Sequence, residues 1–181
     1  SIVRVSDYTY LDHAATTPMR PEAVEAMLPY LSERFANPSG SHRFAREART
    51  AVDDARESVA AVLGCAPGDV VFTGSGTEGD NTAVFGALAR RHGVAVCPAA
   101  EHHAVLHAVE QMHGTVVPVT GAGTVDLSVL AHTLDELVAS VGVAVVSVMA
   151  VNNEVGSITD LAAVAEVVRR HAPAALLHTD A

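Results

Sequence analysis

The sequence predicts an α/β fold, a mostly parallel sheet flanked by helices. Two observations carry that prediction: short apolar runs recur from residue 69 onward, and amphipathic stretches of helical length separate them. The runs Val70–Thr73, Val94–Cys97, Thr115–Val119, Val143–Met149 and Ala174–His178 are the expected strands. Between them, helices are expected roughly over Thr77–Arg91, His102–His113, Leu127–Ser140 and Asp160–His171. Ala83 and Leu88, and then Leu161, Val164 and Val168, follow the three-to-four spacing of a buried stripe. Residues 1–68 read differently, as an N-terminal helical arm. Pro21 suits the first position of a helix, Ser41 can cap a second one, and Gly64 has the character of a C-cap. Residues 69–181 form the expected α/β domain, read as partial because the sequence stops at His178-Thr179-Asp180-Ala181, just after an apolar run.

Composition removes several function classes. Eleven arginines and no lysine stand against 21 acidic residues, a formal charge of -10, so the electrostatic footprint of a nucleic-acid or anionic-membrane binder is missing. The longest apolar run, Val143 to Val151, is interrupted by Ser147 and is too short to span a bilayer. With two cysteines, Cys65 and Cys97, and no basic-then-apolar start, the expectation is a soluble protein of the reducing cytoplasm.

The stretch Gly74-Ser75-Gly76-Thr77-Glu78-Gly79 is a G-x-G-x-x-G between an apolar run and a helix start. Free N–H groups and the positive end of the helix dipole make such a loop an anion site. One reading is dinucleotide binding, with Gly74, Gly76, Gly79 and an acidic residue about 20 positions on; Glu101 is near that spot. Against it stand the long arm before the motif and the His102-His103 pair after Glu101. A purely geometric glycine turn is the bland alternative.

The remaining chemical residues share one expected location. Gly76 and Thr77 follow the first apolar run, His102 the second, Asn152-Asn153-Glu154 the fourth and Asp180 the last. Carboxyl ends of parallel strands line the ligand crevice in open sheets. A phosphate for the Gly-Thr loop, a flat ring for His102, polar ring substituents for Asn153 and a ring nitrogen for Asp180 are all met by pyridoxal phosphate. No metal site is expected: His103 and His107 are four apart on a helix but lack a third ligand nearby. Cys65 and Cys97 read as small hydrophobes. Asp12 and His13 are neighbours on an extended segment and point apart.

In order and spacing, Tyr10-Leu11-Asp12-His13-Ala14-Ala15-Thr16-Thr17-Pro18, Asn37-Pro38-Ser39, Gly76-Thr77-Glu78, Glu101-His102-His103, Val151-Asn152-Asn153-Glu154-Val155-Gly156 and His178-Thr179-Asp180-Ala181 resemble the N-terminal half of the cysteine desulfurases, pyridoxal-phosphate enzymes of the class V aminotransferase group. The resemblance implies the large domain of a fold-type I pyridoxal-phosphate transferase, here truncated. It implies that Gly76 and Thr77 hold the cofactor phosphate, that Asn153 meets the ring hydroxyl or the substrate, and that Asp180 bonds the pyridine nitrogen. His102 would stack on the ring and act as the catalytic imidazole.

The implied reaction removes sulfur from L-cysteine, leaving alanine and an enzyme persulfide, within sulfur metabolism and iron–sulfur cluster assembly. The implied partners are a second copy in a homodimer and a sulfur-acceptor protein. The sequence departs from the family in its phosphate loop, where Gly74-Ser75-Gly76 moves or removes a serine hydroxyl, and in lacking the Schiff-base lysine and the persulfide-forming cysteine. This chain alone is therefore expected to be inactive. The alternatives are another class V enzyme such as a selenocysteine lyase or aminotransferase, the NAD-dependent oxidoreductase above, and a non-catalytic scaffold.

Overall fold

The computed structural model describes residues 3–5 and 8–181, which divide into a unit ending at Phe72 and a unit running from Thr73 to Ala181. In the first unit, β1 (Val3–Val5) pairs antiparallel with β2 (Tyr8–Tyr10), a ribbon the helical-arm reading did not anticipate. Helix α1 (Pro21–Ser32) starts on its proline, and α2 (Arg43–Leu63) ends where Gly64 turns left-handed at φ 69°. The cap of α2 is not Ser41. His42 takes the N-cap position, its side chain accepting from the Ala45 N–H. Imidazole nitrogen is an acceptor of the same reach as a serine oxygen, a choice that local pattern does not rank.

The second unit is a four-stranded parallel sheet between two layers of helices. In chain order it runs α3 (Gly76–Arg90), β3 (Val94–Pro98), α4 (His103–Gln111), β4 (Thr115–Val117), α5 (Leu127–Ser140), β5 (Val143–Ser147), α6 (Leu161–His171) and β6 (Leu176–His178). The strand order is β4-β3-β5-β6, with every pair parallel. The expected run Val70–Thr73 is not a strand: Val70 is extended, but the segment joins no ladder. The other four runs and all four helices stand where the periodicity put them, α5 at both ends and the rest within one or two residues.

Alternation explains the two layers, with one register shift in the β3·β5 pairing, where Val94 meets Val143 but Ala95 meets Val145. Ala95, Cys97 and Val145 face one way, packing with Val84, Val105 and Val109 of α3 and α4. Val96, Val143 and Val146 face the other way, against Leu130, Leu134 and Val164 of α5 and α6. Each buried valine or leucine stabilises by about 1.5–3 kcal/mol relative to exposure, so the sheet is held from both faces.

Glycine is required where β3 and β5 begin. Gly93 lies at φ 116° and Gly142 at φ 82°, and a Cβ on Gly93 would stand 2.3 Å from the carbonyl carbon of Gly142. This close approach lets the Val94 N–H reach the Gly142 carbonyl at 3.1 Å and opens the β3·β5 pairing.

Candidate functional site

From β3 the chain steps outward to β4, then crosses back to β5 and on to β6. The carboxyl ends of β3 and β5 therefore flank a topological switch point, where connections leave in opposite directions and a crevice must open. A cavity of about 460 Å³ lies there, with Glu101, His102, Asn152 and Asn153 in its walls. Gly76, Thr77 and Asp180 are not among its lining residues.

Local chemistry sets each wall. His102 is the N-cap of α4, its Nδ1 accepting from the Ala104 N–H at 3.2 Å. Asn152 is buried and shapes the loop after β5: its Oδ1 accepts from Glu154 and Val155 N–H, both at 2.9 Å, and its Nδ2 donates to the Ala100 carbonyl at 2.8 Å. The neighbouring Asn153 is thereby left exposed at the cavity rim. Glu101 makes the second tie across the switch point, its Oε1 accepting from the Met149 N–H at 2.6 Å. Its other oxygen is buried without a partner among the described residues, and burial pushes its carboxyl up to about 8.

Gly76 and Thr77 are exposed in the first turn of α3. Ser75 is the cap, its side chain accepting from the Glu78 N–H, while the Glu78 carboxylate accepts from the Gly74 N–H at 2.6 Å. The site reading thus acquires a local carboxylate beside the proposed anion loop. One turn further on, Asp80 is buried. Ligand atoms of Asp80, His102 and Asp180 all lie within 4.8 Å of one another. Because residues three apart on a helix are neighbours, Thr77 stands about 5–6 Å from Asp80 at the Cβ level, on the α3 side of that cluster.

Neither requirement of the dinucleotide reading is met. No strand leads directly into the glycine loop, and Glu101 is 7% exposed with its carboxyl turned to the Met149 backbone rather than to a ribose. His103 and His107 have ring centroids 5.1 Å apart on the exposed face of α4. Among the described residues no helix is long and apolar enough to cross a membrane.

The pattern of the family described as aminotransferase class-V matches residues 9–181. The chain belongs to the aminotransferase class-V family. A cysteine desulfurase IscS from Dictyoglomus turgidum is 38% identical over 180 residues, covering 95% of this chain and 44% of its own length. A solved NifS-like protein superposes with a TM-score of 0.84 at 33% identity, covering 94% of this chain and 48% of its own. SspA in complex with cysteine gives a TM-score of 0.79 at 31% identity, covering 95% and 50%. The chain spans about half the length of these relatives, or slightly less.

Within this class-V chain, sequence reasoning gave no site role to Asp80 of the cluster or to Ser147 and His178 beside it. Ser147 Oγ and His178 Nδ1 are 2.8 Å apart, and His178 Nε2 is 3.8 Å from Asp80 Oδ1. A signal existed for each: Ser147 is the polar break in an apolar strand, His178 ends the last strand, and Asp80 interrupts the inward face of α3.

Proposed function

We propose that this chain forms the noncovalent part of the pyridoxal-phosphate site of a cysteine desulfurase, with residues 69–181 as its cofactor-binding α/β part and residues 1–68 as a helical arm. One observation carries the reading: Asp180, His102 and Asp80 meet within 4.8 Å of one another, one helical turn from an exposed helix N-terminus. The donor set suits the cofactor, with an anion site at one end and carboxylates for a protonated nitrogen at the other.

In this reading the N–H groups of Gly76 and Thr77 and the Thr77 hydroxyl bind the phosphate. His102 covers one face of the ring and holds or moves a proton at an imidazole nitrogen. Asn153 meets the ring hydroxyl or the substrate, and the Asp180 carboxylate accepts from the protonated ring nitrogen. When bound, pyridoxal phosphate supplies an electron-withdrawing ring that stabilises negative charge at the substrate α-carbon. No side chain here offers an amine to hold its aldehyde covalently, since the 181 residues contain no lysine.

The substrate reading, L-cysteine giving alanine and an enzyme persulfide, is supported by the desulfurase relatives and by the neighbour solved with cysteine. The same reading carries a cytoplasmic homodimer that hands sulfur to an acceptor protein.

Titrating the full chain with pyridoxamine 5'-phosphate tests the site, because this form needs no lysine. Saturable binding is expected, weakened about tenfold or more by Thr77→Ala or Asp180→Asn, the loss of one hydrogen bond to a charged group. No saturable binding sinks the reading. Combining this chain with a desulfurase C-terminal half that carries the lysine and the cysteine, then adding pyridoxal phosphate, L-cysteine and a thiol reductant, tests the substrate: alanine and sulfide should form in equal amounts, and neither should form with this chain alone.

A further inference from the structure

Asp80 is 6% exposed, and no role in cofactor binding has yet fallen to it. It lies in the second turn of α3 and is met from three other directions. His178 and Asp180 approach from β6 and the residues after it, His102 approaches from the start of α4, and the Glu101 carboxyl, just after β3, feels the Asp80 charge. Ser147 of β5 holds the far side of the His178 ring through a 2.8 Å Oγ···Nδ1 contact.

Two carboxylates within 4.8 Å of each other repel unless positive charge lies between or beside them. Burial and the Asp180 charge raise the Asp80 carboxyl from its ordinary value, while His178 and His102 pull it back. Imidazoles alone are a partial answer, since each is charged only when protonated. A protonated pyridine nitrogen brings a full positive charge and a hydrogen-bond donor to this place.

Resting on the cofactor reading above, we propose that Asp80 is a positioning residue of the ring-nitrogen subsite. Its carboxylate orients the Ser147-supported imidazole of His178 and supplies, beside Asp180, a second negative charge that keeps a bound pyridine nitrogen protonated.

The test uses pyridoxamine 5'-phosphate labelled with nitrogen-15 in the ring, bound to the full chain and followed by its nitrogen chemical shift as pH is raised. In Asp80→Asn, which keeps the shape and removes the charge, the ring nitrogen should lose its proton about one pH unit earlier than in the wild type. Asp80→Glu should restore most of that difference. Asp180→Asn should shift it further still. An Asp80→Asn profile identical to wild type, with Asp180→Asn shifted, overturns the proposal and leaves the cofactor reading standing; a probe that never saturates the wild type overturns both.

If circular dichroism shows that Asp80→Asn does not fold, Ser147→Ala carries the test, since it frees the His178 ring and should lower the same titration by a smaller step. An unchanged titration there overturns the proposal. A Zn²⁺ titration separates the competing use of the same groups: saturable zinc binding that Asp80→Asn abolishes, with no effect of that variant on the ring nitrogen, also overturns it.

Discussion

The Glu101 carboxyl accepts a 2.6 Å hydrogen bond from the Met149 N–H, joining the ends of β3 and β5 across 48 positions of sequence. That contact bridges the switch point and holds the loop carrying His102 against the loop carrying Asn152 and Asn153. The partnerless second oxygen and the burial of the group make the neutral acid its favoured form in the folded protein.

A pH-dependent stability follows for Glu101. Its folded value of about 8 lies above the unfolded 4.5. The native state therefore keeps a proton that the unfolded chain has released between these values, and stability falls as pH rises through that window. Its contribution is fully present below about 4.5 and gone above about 8. Glu101→Gln should flatten this slope, equalling the wild type near the acid end and exceeding it at the alkaline end. Glu101→Ala should instead cost about 1–3 kcal/mol by stranding the Met149 N–H. Thermal melts across the window check both; parallel curves for Gln and wild type would refute the assignment.

The glycines separate into two kinds. At Gly93 a Cβ would meet the Gly142 backbone at 2.3 Å, a contact with no flexible end to yield. Gly93→Ala should cost more than about 3 kcal/mol, or prevent folding. Gly64, at φ 69° with open space around it, should lose only about 1–2 kcal/mol on the same change, the left-handed penalty alone. Denaturant midpoints of the two variants are the measurement, and equal losses would contradict the packing argument.

The two thiols should differ in reactivity. Cys97 is fully buried in β3, and burial pushes its thiol up to about 12, while Cys65 is exposed. A thiol reagent at neutral pH should modify one cysteine in the native protein and both in denaturant. Cys65→Ser should leave the native protein unreactive.

At α5 the Asp126 carboxylate accepts from the Ser128 hydroxyl and from the Ser128 and Val129 N–H groups, holding it below its ordinary 3.8. A lowered carboxyl contributes stability that is present above the unfolded value and is lost as pH falls through the folded one. Asp126→Asn should lower the melting temperature less than Asp126→Ala at neutral pH, since the amide oxygen can still cap. The gap between wild type and Asn should close in acid.

By itself the sequence determined the α/β class, the four helices of the second unit, four of the five expected strands, the helix start at Pro21 and the helix end at Gly64. These depend on periodicity and on the φ preferences of single residues, which neighbours along the chain express. Tertiary structure decided what depends on partners. Val70–Thr73 has a strand's composition but no ladder, because a strand exists only where another offers its backbone. The order β4-β3-β5-β6, and so the crevice between β3 and β5, comes from hydrogen bonds between segments far apart in sequence. Asp80 and Asp180 are a hundred positions apart, and Glu101 is a surface-type residue by composition. The burial of Asp80 and Glu101, and the repulsion between Asp80 and the half-buried Asp180, arise only once the sheet brings these carboxyls together.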